Sequence, residues 1–423
     1  MSTQAYIAIS VFLAAYILIS SEKIHRTKVA VFAAVLMIVF GIISQSQAVA
    51  NIDFNTIFLL MGMMIIVNIT RETGFFEYIA IKGVRGAKGR PWRLLVMFSL
   101  LTALVSAFLD NVTTVLLFTP IMIFIADALR VKVFPYLVAL IISANIGGMA
   151  TLIGAPPNIM IGTAAELTFN DFLIHIFPIT ILIFLANLGF LKLAFKKELG
   201  SKPVKDAVKM DPSRAIKDKK LLAKCLAVLA ATILGFALHN LLGLHPATVA
   251  IAGASLLMLI VPGNPIEYLE KIEWNSLFFF AGLFIMVGGL ETSGVIMSLF
   301  KWIVSKTDNV LILSGGLLWG GSLICSFLDN IPFTAMMIPL VEKLAIHLGD
   351  PSATKALWWA MAIGVNIGGN GTIIAASPNV VVSGIAEQSK HKITFGMYFK
   401  YGFLSVVMSA ILGTIYVFIR YLI

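Results

Sequence analysis

Phe108-Leu109-Asp110-Asn111 returns 219 residues later as Phe327-Leu328-Asp329-Asn330, and both strings lie in the middle of long apolar tracts. Ile52-Asp53-Phe54-Asn55 matches Ile272-Glu273-Trp274-Asn275 at an offset of 220. Asn145-Ile146-Gly147-Gly148 matches Asn366-Ile367-Gly368-Gly369 at 221, and Asn158 matches Asn379 at 221. Chance likeness between apolar segments would not hold one offset across residues 52–158, so the chain is read as an internal duplication.

The solvent for most of both copies must be lipid. Hydrophobic residues make up 59% of the 423 and charged residues 12%, about half the charge of an average soluble domain. That excludes a soluble enzyme, a nucleic-acid binder and a secreted disulfide scaffold. The net charge of +10 then reads as membrane orientation. Cys225 and Cys325 stand far apart in apolar segments, so neither a disulfide framework nor a metal cluster is implied.

Apolar stretches of spanning length fall near 4–20, 28–45, 54–70, 172–196, 220–241, 246–261, 275–291 and 397–420. The first lacks a preceding Lys or Arg and is read as a span, not a signal peptide. Tracts 93–129 and 309–347, interrupted by Asp-Asn, are each expected to form a re-entrant hairpin of two short arms with a polar tip. Segments 135–165 and 355–388 are expected to be spans broken at their Gly, Asn and Pro residues, because helix cannot run through them. Such backbone survives in a bilayer only where it lines a cavity or is buried in protein.

The fold class expected is an all-α polytopic membrane protein made of two halves, 1–196 and 220–423, joined by a basic cytoplasmic linker at 197–219. Each half holds five crossings, one of them broken, plus a hairpin. An odd number of crossings inverts the second half, the architecture of secondary transporters. With both termini outside, the cytoplasmic segments are 21–28, 71–93, 130–132, 192–224, 262–274 and 385–400, and these hold 26 of the 31 Lys and Arg residues. The positive-inside rule expects that bias. The linker's lysines are read as fixing topology, with a contact to anionic lipid as the alternative.

Asp110 and Asp329 are the only charges expected deep in the hydrocarbon, where a carboxylate costs at least about 2.5 kcal/mol. Placed at equivalent tips, with Asn111 and Asn330 beside them, they are candidates to carry a proton or a small cation. Capping of a helix N-terminus is the structural alternative. The arms that follow differ: Thr113 and Thr114 in the first half, Pro332, Phe333 and Thr334 in the second. Asn145, Gly147, Gly148, Thr151 and Asn158 from one broken span, with Asn366, Gly368, Gly369, Thr372 and Asn379 from the other, are the candidate substrate-binding residues. Unwound carbonyls there suit a cation, and half-helix N-termini suit an oxyanion. The glycines read equally well as packing positions. Cys325 and the span-end pair His25 and His245 are read as structural. No Walker A string, no GxGxxG and no metal-spaced His/Cys set is present, so no cofactor beyond a coupling H⁺ or Na⁺ is expected.

The run Phe108-Leu109-Asp110-Asn111-Val112-Thr113-Thr114-Val115-Leu116-Leu117-Phe118-Thr119-Pro120, with Asn145-Ile146-Gly147-Gly148 and Gly154-Ala155-Pro156-Pro157-Asn158, resembles the arsenite-permease and melanosomal P-protein branch of the ion transporter superfamily, which carries a citrate-transporter-like domain. The resemblance covers essentially the whole chain. It implies a scaffold of spans around a transport domain of two opposed hairpins and two broken helices. By analogy with the divalent-anion sodium symporters, it also implies a homodimer with elevator motion. Those symporters carry Ser-Asn-Thr at both tips, whereas this chain reads Asp110-Asn111-Val112 and Asp329-Asn330-Ile331. Two added negative charges would repel a di- or tricarboxylate unless neutralised by protons or sodium. Ser377, in a Ser-Pro-Asn string, departs from the arsenite pumps, and the Asp-Asn-Val-Thr-Thr and Pro-Pro-Asn strings are closer to the P-protein group.

The function expected is therefore secondary active transport in the cell membrane, coupled to H⁺ or Na⁺. Antiport efflux of an inorganic ion or a metalloid such as arsenite or antimonite comes first. Sodium/proton exchange and citrate or dicarboxylate transport are the alternatives. A channel, or the membrane subunit of a pump driven by a cytoplasmic ATPase, is the rival of a different class.

Overall fold

The computed structural model describes residues 2–21, 23–199 and 212–422, whose regular secondary structure is all helical. Most of the linker, residues 200–211, lies outside the described residues. The first run of helices is α1 (Thr3–Ser20), α2 (Arg26–Val39), α3 (Gln45–Ala50), α4 (Phe54–Glu72), α5 (Phe75–Ala87), α6 (Pro91–Phe108), α7 (Asn111–Ala128), α8 (Phe134–Met149), α9 (Pro156–Ala164), α10 (Phe169–His175), α11 (Phe177–Ala194) and the short α12 (Lys196–Leu199). The second is α13 (Lys219–Leu238), α14 (Pro246–Ile260), α15 (Pro265–Glu270), α16 (Trp274–Thr292), α17 (Val295–Val304), α18 (Val310–Cys325), α19 (Asn330–Leu348), α20 (Pro351–Gly368), α21 (Ser377–Gln388) and α22 (Phe395–Val417). Apart from α10 and α12, each helix of the first run has a counterpart in the same order in the second.

Among the described residues, eight helices are long and apolar enough to cross a bilayer: α4, α6, α7, α11, α13, α16, α19 and α22 with its π-helical extension to Leu422. Their exposed surface carries large apolar side chains such as Leu182, Leu185, Leu234 and Phe278, as a lipid-facing wall requires. The chain is a multi-pass integral membrane protein.

Three boundaries differ from the sequence reading. The arms of the first Asp-Asn tract are not short: α6 and α7 have 18 residues each, about 27 Å of helix. The stretch 172–196 is two helices, because Pro178 ends the first and sits in the opening turn of the second. The stretch 28–45 stops being helical at Val39, and Gly41 follows at φ 65°.

The breaks have local causes. Leu109 is extended (φ −117°, ψ 154°), and Asp110 opens α7 as its N-cap. Asp329 opens α19 in the same way. Ala155 and Ala376 are both extended, and α9 and α21 each carry proline in their first turn.

Two cross-braces tie the runs together. α2 packs on α16 and α4 on α14. At the contacts, a Cβ added to Gly62 would lie 2.6 Å from the carbonyl carbon of Ala250, and one added to Gly282 would lie 2.7 Å from that of Ala30. Gly62 and Gly282 are 220 residues apart, as are Ala30 and Ala250. Only small residues allow so close an approach.

Candidate functional site

The N-termini of α7 and α19 meet the breaks between α8 and α9 and between α20 and α21 in the middle of the protein. At the first tip the Asp110 carboxylate is spent locally. Its Oδ1 accepts the Val112 N–H, and its Oδ2 accepts both the Thr113 N–H (3.0 Å) and the Thr113 hydroxyl (2.8 Å). At the second tip Asp329 Oδ1 accepts the Ile331 N–H at 2.9 Å. Pro332 stands where the first tip has Thr113 and offers neither donor. Asp329 Oδ2 is instead paired with Arg26 Nη1 at 3.3 Å. Both aspartates therefore cap their own arms, the structural role weighed for them, and they differ in what satisfies the outer oxygen.

The asparagines named from sequence gather into one buried clasp across the two runs. Asn145 Nδ2 donates to Asn379 Oδ1 (3.0 Å), Asn370 Oδ1 (3.0 Å) and the Gly369 carbonyl (3.3 Å), and Asn145 Oδ1 accepts from Asn111. Symmetrically, Asn366 Nδ2 donates to Asn158 Oδ1 at 2.7 Å. Asn158 Nδ2 reaches the carbonyls of Gly148, Met149 and Thr151, and Asn379 Nδ2 those of Gly369 and Thr372. Each break thus has its stranded carbonyls satisfied by the asparagine of the following half-helix. Asn330 Nδ2 makes only a long bond, 3.4 Å, to the Val365 carbonyl.

The remaining candidates divide. Thr114 and Thr334 donate to the carbonyls of Asp110 and Asn330 one turn back, and Thr151 donates to Ala107. Gly147 and Gly368 are packing positions: a side chain would overlap Ala103 in the first case, and Cys325 and Gly321 in the second. A Cβ on Gly148 would meet the Gly154 carbonyl. Thr372 Oγ1 is buried without a partner.

Sequence reasoning missed three residues. Arg26, counted among cytoplasmic loop charges, reaches Asp329 and Ser377 and lies 5.0 Å from the Phe279 ring centroid. Glu273 shares a cavity of about 30 Å³ with Arg26, Asp110, Asn111, Asn330 and Ser377. Its first-half counterpart Asp53 caps α4, whereas Glu273 makes no cap to α16. Asn370 stands where the first copy has Met149, and that departure from the repeat was the available signal. A second cavity, of about 340 Å³, is lined by Arg26, Asp329, Ala376, Ser377 and His25.

Residues 16–364 match the family described as citrate transporter, CitMHS. The chain belongs to the citrate transporter family. An uncharacterized transporter of Mycobacterium tuberculosis is 39% identical over 98% of both chains. A 46 kDa membrane protein of Mycobacterium leprae is 39% identical over 99% of both. The human P protein is 32% identical over all of this chain and 60% of its own length. Membership makes the chain a secondary transporter and not an enzyme.

Proposed function

We propose that this transporter exchanges its cargo against H⁺ or Na⁺, with Asp110 and Asp329 as the coupling carboxylates and Asn111 and Asn330 beside them. One observation carries the reading. Asp110, Glu273, Asn111 and Asn330 surround about 30 Å³, room for a water or a small dehydrated ion but not for an organic acid. Three carboxylates at or beside the tips against one arginine favour a cationic or uncharged partner there. The cargo of first choice is an inorganic ion or a neutral metalloid hydroxide such as arsenous acid, moved outward by antiport, with sodium/proton exchange next.

The repeated helix order supports two halves of opposite orientation, 1–196 and 220–423, with α6–α7 and α18–α19 as opposed re-entrant hairpins, and the bias of Lys and Arg supports both termini outside. Elevator movement of the hairpins and broken helices, in a homodimer, fits that division.

A second reading has its own support. Arg26, the Ser377 hydroxyl and the first turn of α21 line the 340 Å³ cavity, groups that suit a carboxylate, and the family is named for citrate. Organic-anion transport would use that cavity.

Everted vesicles holding an acid-inside gradient and a lumenal pH dye test these readings. Na⁺, Li⁺, arsenite, antimonite, citrate and succinate are added singly, beside an Asp110→Asn, Asp329→Asn control. Dissipation by Na⁺ or Li⁺ that the control loses makes the protein a cation/proton antiporter, and the same result with arsenite makes it a metalloid exporter. A double variant that retains coupled transport with unchanged pH dependence removes the carboxylates from the mechanism.

A further inference from the structure

Three of the positions at which the two tips and their surroundings differ bear on Asp329 or on its partner. Thr113 is replaced by Pro332, which strips Asp329 Oδ2 of the N–H and hydroxyl that Asp110 Oδ2 receives. Pro246 is replaced by Arg26, 220 residues earlier, which supplies a cation to that oxygen at 3.3 Å. Pro156 is replaced by Ser377, whose hydroxyl accepts a second bond from the same guanidinium nitrogen. Arg26 comes from neither a hairpin nor a broken helix. It opens α2, which is braced on α16, and the Phe279 ring of α16 packs against its guanidinium. Arg26, Ala376 and Ser377 line both the 340 Å³ and the 30 Å³ cavity, so the Arg26–Ser377 contact forms part of the partition between them.

We propose that Arg26 is the resident cation of the second tip: its guanidinium holds the Asp329 oxygen at which the coupling cation binds, and loading the site requires displacing it. The inference rests on the reading of Asp329 as a coupling carboxylate. An ionised carboxylate left without its cation in a low-dielectric interior is costly, and a tethered arginine removes that cost in the ion-free carrier. A proton or Na⁺ arriving at Asp329 releases Arg26 from both partners, and the partition opens. The first tip needs no such device, because Thr113 already satisfies Asp110.

The test reads the opening of the partition as cation is added. A Val381→Cys reporter lines the larger cavity, while Cys225 and Cys325 are buried. The purified full-length protein in liposomes is labelled with a maleimide while Na⁺ is raised at fixed pH, and separately while pH is lowered without Na⁺. The other titratable groups facing Asp329 or the two cavities are Tyr16 from α1, His25 before α2, Cys325 from α18, Glu273 before α16 and Asp110 before α7. A His25→Gln background removes the one histidine among them. The labelling rate is expected to titrate in the parent, and not in Asp329→Asn. In Arg26→Gln the midpoint should move to roughly 10- to 1000-fold lower cation concentration, as when an opposite charge beside a carboxylate is removed. Arg26→Lys should stay close to the parent. Ser377→Ala, which loosens the arginine without touching its charge, should shift the same way by less. A midpoint unmoved by both Arg26→Gln and Ser377→Ala overturns the proposal and leaves the coupling reading standing. A parent that titrates with neither ion overturns both.

Discussion

Removing the Asn158 side chain should cost far more than the single bond it makes across the repeat. Its Nδ2 carries two hydrogens and faces three carbonyls, those of Thr151 at 2.8 Å, Met149 at 3.0 Å and Gly148 at 3.2 Å. All three belong to the broken backbone, so Asn158→Ala leaves at least two buried carbonyls without donors. At about 1–3 kcal/mol for each unsatisfied group, the loss is about 2–6 kcal/mol. Asn366→Ala should cost less, about 1–2 kcal/mol, because its other acceptor, the Ala362 carbonyl, lies one turn back in its own helix. The double variant separates the term shared between the halves. The 2.7 Å bond from Asn366 to Asn158 should give a coupling of about 0.6–1.7 kcal/mol, between the average and the largest value for such bonds inside membranes. Reversible SDS unfolding of the purified protein in mixed micelles, followed by far-UV circular dichroism, measures all four corners of the cycle. If the single losses add to the double within about 0.3 kcal/mol, the two broken helices are not clasped at this point and the reasoning fails.

Four further outcomes are expected. Asn370→Met, which installs the first copy's residue, removes only one of three acceptors around Asn145 and should cost under about 1 kcal/mol in the same assay. Gly147→Val and Gly368→Val place a side chain against neighbouring chain segments and should abolish monodisperse protein on gel filtration, whereas Gly189→Ala and Gly384→Ala, with nothing within 4 Å, should leave it unchanged. Pro332→Thr should give Asp329 the local donors that Asp110 has, and the midpoint shift caused by Arg26→Gln should then shrink in the cysteine-labelling titration. Asp53→Ala removes the cap on α4 and should destabilise by about 1 kcal/mol, while Glu273→Gln, which removes no cap, should leave stability nearly unchanged and alter ion dependence in vesicles.

What the chain's own order of residues determined is whatever depends on neighbours along it. The duplication, the helical breaks at Asp-Asn and at Pro, and the lipid environment were all legible, because caps, proline geometry and apolar length act over a few residues. The two aspartates could be singled out for the same reason, since a charge in a long apolar tract is visible without partners. Their companions could not. Arg26 opens α2 just after a short basic turn and looks like any interfacial charge, yet it pairs with a carboxylate 303 residues away. Glu273 reads as the ordinary helix cap that its counterpart Asp53 is. The asparagines looked like ligands, and only their placement shows most of their donors turned towards the protein's own stranded carbonyls. Which polar group faces a cavity and which is consumed by the backbone is settled by packing between distant segments. That is a property of the tertiary structure, because it depends on how the two copies are brought together and not on what either copy contains.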